Sequence, residues 1–167
     1  MELIFAFIIG IVFGSFLNVV ILRLPKDESV IFTSSHCPSC KNPLKPWHNI
    51  PLFSWIFLRG RCSFCDTQIS PQYPLIELLS GFIFLALAQK FGLNLPTLFI
   101  GLSFLTLLAL SMIDFRYKMV PDSLNLLALL FAIMGAWSIG GALNNFQNAL
   151  LFGGGFTLLR FALSYML

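Results

Sequence analysis

The four cysteines of this sequence have the spacing of metal ligands. They form two CxxC pairs, Cys37-Pro-Ser-Cys40 and Cys62-Ser-Phe-Cys65, separated by 21 residues. Each CxxC pair can present two thiolates to one tetrahedral ion from a tight turn, and two pairs complete a site with no open position. Closed sites of this kind are structural, so the spacing predicts a structural zinc ion.

Two other uses of these cysteines are open. A pair of disulfides would be the better interpretation if the loop faced an oxidising compartment. A catalytic zinc ion would require His36 or His48 to replace one of the thiolates. The distribution of basic residues, described below, places the loop in the reducing cytosol and therefore favours the four-sulfur site.

Asp114 is the first charged residue after an uncharged run over residues 95–113. At the C-terminal end of a membrane helix, the helix dipole opposes a carboxylate, and partial burial opposes its charge again. An acid retained where two effects disfavour its ionised form is a candidate for proton chemistry. The alternative is an interfacial Asp that forms an ion pair with Arg116 or Lys118.

Two further acids lie near predicted membrane edges. Asp122 follows Pro121 at the start of an apolar run, where Asp is a favoured N-cap and the helix dipole stabilises its charge. Glu77 lies inside an apolar segment, and an acid within the membrane is a functional hypothesis by default. Anchoring of the loop through an ion pair with a loop arginine is an equal alternative for Glu77.

The elements that carry these residues are membrane helices. Of the 167 residues, 57% are hydrophobic and 10% are charged, whereas soluble domains contain about 25% charged residues. Apolar runs near the ~20 residues needed to cross a bilayer predict about five transmembrane helices. These runs cover residues 3–22, 75–88, 95–113, 123–139 and 146–167, the last interrupted only by Arg160.

The predicted fold class is an all-α polytopic membrane protein with a zinc-ribbon-like loop. Residues 1–22 form the first transmembrane helix, residues 23–74 the four-cysteine loop, and residues 75–167 a helical bundle. The loop contains seven prolines, which exclude a continuous helix, and little apolar mass, so it should lose its fold without metal. The first helix starts with Glu2 and is too long for a signal peptide, so we expect it to be retained.

The orientation in the membrane follows from the positions of Lys and Arg, because cytoplasmic loops hold the excess. With Arg160 set aside, the connections after the first and third predicted helices carry eight basic residues, and the opposite side carries only Lys90. This places the N-terminus outside and the four-cysteine loop in the cytosol. The net charge of +3 therefore reflects the orientation of the chain in the membrane and does not indicate nucleic-acid binding.

Small residues recur on one face of the first helix. Ala6, Gly10, Gly14 and Asn18 are spaced four residues apart, and such a face lets another helix approach closely. We expect this face to pack against a neighbouring helix. A role in facing a substrate is the alternative for Ser15 or Asn18.

The sequence resembles the type IV prepilin peptidases. Five segments occur in the order of that family and extend over most of the chain. They are GSFLNVVILRLP at 14–25, CPSC at 37–40, NIPLFSWIFLRGRCSFC at 49–65, ISPQYPLIELLSG at 69–81 and IDFRYKMVPD at 113–122.

The resemblance implies a membrane aspartic endopeptidase of the GxGD type in the bacterial inner membrane. Such an enzyme cleaves the leader of type IV prepilins or pseudopilins at the cytosolic face and methylates the new N-terminus with S-adenosylmethionine. Asp114 matches the first catalytic aspartate, and Glu77 and Gly81 match a possible methyltransferase or substrate region. The implied partners are prepilin or pseudopilin substrates and membrane lipid.

The second aspartate of the family's GxGD motif has no counterpart here, since no Gly is followed directly by Asp. The resemblance therefore predicts a fragment or a truncated member that ends before this motif. One alternative function is a non-catalytic membrane scaffold that binds prepilin or pilus-assembly partners. A second is a methyltransferase without peptidase activity.

Overall fold

The computed structural model describes residues 1–31, 35–37, 39–44, 47 and 50–139. The described helices are α1 (Glu2–Arg23), α2 (Phe53–Phe57), α3 (Gln72–Phe91), α4 (Leu95–Tyr117) and α5 (Asp122–Ile139), and a 3₁₀ turn over Leu24–Lys26 follows α1. Extended pairing within these ranges is limited to two isolated β-bridges. The all-α prediction is confirmed, while the predicted helix over 146–167 lies outside the described residues.

Within the described residues, three helices are long and apolar enough to cross a membrane: α1 with its 3₁₀ turn, α3 and α4. The first and third predicted helices agree closely with α1 and α4. The second is longer than the predicted 75–88, because Gln72, Glu77 and Lys90 dilute the apolar signal of a helix that continues through them. The fourth predicted helix is α5, whose apolar part, Asp122–Trp137, is shorter than a full crossing.

Helices α1 and α3 pack antiparallel through glycine. A Cβ atom on Gly10 would clash with the Ser80 carbonyl and lie 2.8 Å from the Cα atom of Gly81. A Cβ atom on Gly14 would lie 2.7 Å from the Ser80 side chain and 2.9 Å from the Cα atom of Glu77. Ala6 and Asn18 on the same face are also buried. The predicted small-residue face is therefore a helix-packing surface.

Asn18 strengthens this contact at the end of α1. Its Nδ2 atom donates to the carbonyl oxygens of Tyr73, at 3.1 Å, and Gly14, at 3.4 Å. With only 1% of its surface exposed, Asn18 joins two membrane helices through a hydrogen bond to backbone. The structure supports packing rather than a substrate-facing role for this residue.

Helices α3, α4 and α5 continue the antiparallel arrangement through two short turns. Asn94 caps α4 by accepting from the Thr97 amide at 2.9 Å, and the ring of Phe84 on α3 lies against Gly101 on α4. Ser103 on α4 donates to the Ala128 carbonyl of α5 at 3.0 Å. The C-terminal ends of α1 and α4 therefore lie at the same end of the bundle as the N-terminal ends of α3 and α5.

We call this end of the bundle, together with the described residues between 24 and 71 and the α4–α5 turn, the loop end. Arg116 near the end of α4 donates to Gln72 Oε1 at the start of α3, at 3.2 Å. This hydrogen bond joins two elements 44 residues apart in sequence. All four cysteines, Asp114 and Asp122 belong to the loop end, so these candidate residues lie at one end of the bundle.

The close approach of α1 and α3 predicts the effect of adding one methyl group. Gly10→Ala should lower the free energy of unfolding by about 1–3 kcal/mol, because the new Cβ meets backbone atoms that cannot rotate away. Val12→Ala, at a position 55% exposed on the same helix, is the control and should have little effect. Thermal unfolding in detergent, followed by circular dichroism, measures both. Equal stability of the two variants would contradict the packing described here.

Candidate functional site

The four cysteine sulfurs form a cluster that could hold one metal ion. All lie within 4.8 Å of one another, and the sulfurs of Cys37 and Cys65 are 3.8 Å apart. Four sulfurs at about 2.3 Å from a tetrahedral ion would be separated by about 3.8 Å. All four thiols are free, so the alternative of two disulfides is not formed. His36 is outside the cluster, and His48 lies outside the described residues.

The two CxxC turns have the same backbone design. The amides of Cys37 and Cys62 donate to the carbonyls five residues later, and their own carbonyls accept from the amides four residues later. The residue directly after each CxxC pair, Lys41 or Asp66, has a left-handed backbone conformation, with φ of 60° and 55°. The β-bridges His36 to Pro43 and Arg61 to Gln68 close the two turns at equivalent positions. The loop thus contains a structural repeat that the sequence analysis missed.

Local hydrogen bonds prepare two of the thiols for ligation. The hydroxyl and the amide of Thr67 lower the pKa of Cys65 to about 6, and the amide of Cys40 lowers the pKa of Cys37. The Asn42 amide lowers the pKa of Cys40, but burial and the neighbouring thiols outweigh this effect and raise that pKa to about 11. A cluster of four thiolates requires a cation, since like charges at this distance oppose ionisation.

Glu77 joins the loop to the membrane bundle. Its Oε2 atom accepts the backbone N–H of Leu52 at 2.8 Å, and its carboxylate also interacts with the hydroxyl of Ser15 on α1. The predicted anchoring role is supported, but the partner on the loop is a backbone N–H and not an arginine. The sequence does not identify this partner, because every non-proline residue carries the same donor.

Leu52 adopts an unusual backbone conformation where it meets Glu77. Its φ and ψ are 61° and −51°, and the Phe53 amide donates to the Pro51 carbonyl at 2.6 Å. These features define a γ-turn of the rare, strained kind. A non-glycine residue in this region costs about 1–3 kcal/mol and persists only where surrounding contacts hold it. The carboxylate of Glu77 is one such contact.

A cleft of about 640 Å³ lies between the loop and the helices α1 and α3. Glu77 and Ser15 line it on the helix side, and Cys37 and Cys62 line it on the loop side. Four cations surround the same space: Arg23, Lys26, Lys41 and Arg116. Such an arrangement suits a ligand that carries both charges, because the cations attract an anionic group and Glu77 can hold a cationic one.

Gly81 lies one helical turn beyond Glu77 but faces α1 and not the cleft. A Cβ atom there would lie 2.7 Å from the ring of Phe7 and 2.9 Å from Ile11. Glu77 and Gly81 are therefore neighbours on α3 with different surroundings. Gly81 contributes to the site by allowing α1 to approach, which places Ser15 beside the carboxylate.

Asp114 lies in the last turn of α4 and is exposed, so the described part of the chain does not supply the partial burial we expected. Its backbone carbonyl accepts from the Lys118 amide at 2.9 Å. The guanidinium of Arg116 donates to Gln72, and the Lys118 ammonium lies 5.8 Å from the Phe115 ring centre. Within the described ranges, neither cation forms the alternative ion pair with Asp114.

Asp122 is the first residue of α5 and lies in its first turn. The Asn125 amide donates to the Pro121 carbonyl at 3.2 Å, so the helix begins one residue earlier than an Asp122 N-cap would require. The positive end of the helix dipole still stabilises its charge. The predicted N-cap position of Asp122 is therefore wrong by one residue, and its structural role stays a prediction.

A family model, Bacterial Peptidase A24 N-terminal domain, matches residues 8–91. This range contains the glycine face of α1, both CxxC turns, Leu52 and Glu77. The chain belongs to the type IV prepilin peptidase family. The range matched to this family thus includes the sulfur cluster and much of the cleft lining, whereas Asp114 lies beyond it.

Proteins named prepilin leader peptidase/N-methyltransferase are similar to most of the chain. One from Myxococcus xanthus is 38% identical over 148 residues, which cover 89% of this chain and 44% of the relative. Those from Neisseria gonorrhoeae and Klebsiella pneumoniae are 38% and 41% identical, with 79% and 73% of this chain and 56% of each relative covered. The chain spans about half the length of these curated relatives. No solved structure matches it.

The sulfur cluster predicts a shared loss of metal and stability. Cys37→Ser should lower both the metal content and the unfolding temperature of this prepilin peptidase family member, because three sulfurs cannot close the site. Elemental analysis of the purified protein and thermal unfolding measure the two effects. Ser39→Ala, within the same turn, is the control and should retain the metal. Unchanged metal content in Cys37→Ser would contradict the four-sulfur site.

The contact between Glu77 and Leu52 predicts a graded response to substitution. Glu77→Ala removes the acceptor and should speed hydrogen exchange of the Leu52 amide severalfold, consistent with a net bond strength on the order of 1 kcal/mol. Glu77→Gln keeps an acceptor oxygen and should have a smaller effect. Mass spectrometry of peptides spanning residues 50–58 measures the exchange, and peptides spanning residues 62–68 are the reference. Equal exchange rates of the Leu52 amide in the wild type and both variants would show that Glu77 does not hold this amide.

Proposed function

We propose that this chain contributes the first catalytic aspartate, a zinc-stabilised loop and the methylation cleft to a prepilin leader peptidase and N-methyltransferase. The observation that carries the proposal is the arrangement of the loop end. There the sulfur cluster, the cleft with Glu77 and the end of α4 with Asp114 lie on one side of a membrane bundle. The names of the similar proteins support the same activities.

We assign Asp114 as one carboxylate of an aspartic protease dyad. In such a dyad one carboxylate activates water and the other protonates the scissile carbonyl, because two close carboxylates cannot both remain ionised. The exposure of Asp114 at the membrane edge keeps its carboxylate accessible to water and to a peptide. We assign the second carboxylate to no residue of this chain, since the sequence contains no Gly-Asp pair.

We assign zinc to the sulfur cluster in a structural role. Four thiolates with no open position suit zinc and leave no coordination site for a substrate or water. The ion would join the turns that contain Cys37 and Cys62, which lie in one wall of the cleft. Its part in the activity is therefore to hold the shape of that wall.

We assign the cleft to S-adenosylmethionine and the new N-terminus of the substrate. The methyl donor supplies an activated methyl group and carries both a carboxylate and cationic groups. The cations of the cleft, Arg23 and Arg116 among them, fit the carboxylate, while Glu77 fits a sulfonium or an amine. Leu52 and Ser15 fix the orientation of Glu77 toward these groups.

We place the loop end in the cytosol at the bacterial inner membrane. Seven basic residues of the described ranges belong to the loop end, and Lys90 lies at the opposite end of α3. These are Arg23, Lys26, Lys41, Arg59, Arg61, Arg116 and Lys118. The positive-inside rule favours the cytosol, a reducing compartment in which free cysteines are the norm. The substrates are then prepilins or pseudopilins whose leaders lie at this face.

The assignment of Asp114 predicts a loss of proteolysis. Asp114→Asn, in the protein as it is made in its own membrane, should lower the rate of leader cleavage by about 10²–10⁴-fold, because a neutral amide cannot act as general base. The measurement is the rate of conversion of a purified prepilin to its mature length.

Asp122→Asn is the matched control, as Asp122 begins a helix and should not enter the chemistry. Full cleavage by Asp114→Asn would refute the assignment. A wild-type protein that binds prepilin and leaves its leader intact would instead establish the scaffold alternative.

A further inference from the structure

Helix α2 has two faces with different surroundings. Ser54 and Trp55, with Leu58 directly after the helix, line the cleft. Phe53, Ile56 and Phe57 face outward and are 61%, 64% and 82% exposed. Their spacing of three and four residues places them on one side of the helix. A five-residue helix thus presents an outer face made only of large apolar side chains.

This face is held at the depth of the membrane helices. Leu52, directly before α2, bonds to Glu77, the sixth residue of α3. At 1.5 Å per residue, Glu77 lies about 7–8 Å from the start of α3. Helix α2 therefore begins beside the second turn of a membrane-crossing helix and not beyond its end.

The orientation of α2 is also fixed. Trp55 Nε1 donates to the Ile69 carbonyl at 3.3 Å, and the Ile69 amide donates to the Gly60 carbonyl at 2.7 Å. The ring of Trp55 lies against Gly60, where a Cβ atom would be 2.9 Å away. These contacts direct the other side of α2, with Phe57, away from the protein.

The surroundings of this face match the boundary of a bilayer. At the same level of α3, Leu75 and Leu79 are 55% and 41% exposed, as expected for side chains in contact with lipid. Arg59 and Arg61 follow α2 directly and are exposed, with the charge that anionic headgroups attract. Trp47, 59% exposed, precedes it, and Trp is enriched at membrane interfaces.

We propose that α2 is an interfacial anchor of the loop: Phe53, Ile56 and Phe57 insert at the boundary between the headgroups and acyl chains of the surrounding bilayer. Lipid is the occupant that the depth of α2 and the adjacent arginines favour. The anchor holds one wall of the cleft, Trp55 and Leu58, at a fixed height relative to the helices. The proposal concerns the placement of the loop and is independent of the assigned catalytic activities.

The test places a fluorine probe at Phe57 of the full chain. Trifluoromethyl-phenylalanine, introduced at position 57 by codon suppression, preserves the aromatic ring. The protein is reconstituted in vesicles of phosphatidylcholine and phosphatidylglycerol. Fluorine line broadening is measured with a lipid that carries a nitroxide near the top of its acyl chain, and separately with a water-soluble gadolinium chelate. A circular dichroism spectrum equal to that of the unlabelled protein confirms folding.

The matched control is the same probe at Phe64, which is 45% exposed within the second CxxC turn. At position 57 the lipid nitroxide should broaden the signal severalfold more than the chelate does, and at position 64 the order should reverse. Broadening at position 57 chiefly by the chelate would place α2 in water and overturn the proposal. Protection from both agents would mean that protein, such as a second copy, covers the face, and would overturn it equally.

Discussion

The close approach of α1 and α3 determines where the residues on the helix side of the cleft lie. Hydrogen is the only side chain that fits at Gly10 and Gly14, because the backbone of Ser80, Gly81 and Glu77 occupies the space beside them. This contact places Ser15 beside the Glu77 carboxylate and Asn18 against the Tyr73 carbonyl. Without it the cleft would lose its helix wall, since both α1 and α3 line that space.

The loop has a separate source of order, which complements the bundle. Apolar burial within it is slight, and the two CxxC turns, each closed by its own hydrogen bonds, converge on one sulfur cluster. The cluster defines the shape of the loop, while the Glu77 contact with Leu52 defines where the loop sits. The shape of the loop is thus associated with the sulfur cluster and its position with a carboxylate hydrogen bond.

Much of this architecture can be predicted from the sequence, because the patterns that indicate it are local or periodic. The apolar runs predict α1, α3, α4 and α5, the four-residue spacing from Ala6 to Asn18 predicts the packing face, and the CxxC spacing predicts the cluster. Two of the missed features depend on contacts between residues that are distant in sequence. Leu52 reads as an ordinary apolar residue, and nothing in its side chain signals a γ-turn or a bond to a carboxylate 25 residues away. The same holds for Gly81, whose neighbours on α1 become visible only when the helices pair.

The hydrogen bond from Asn18 to Tyr73 has a consequence for biosynthesis. The two residues are 55 positions apart, so α1 leaves the ribosome well before its partner exists. Until then the amide of Asn18 has no carbonyl of α3 to bind. Helix α1 alone is therefore less stable in the bilayer than its apolar residues suggest. Folding of the intervening cysteine loop would shorten the effective tether between the two helices and reduce the entropy lost when they meet. The metal proposed for the sulfur cluster would thus favour the pairing of the first two membrane helices if it binds during translation.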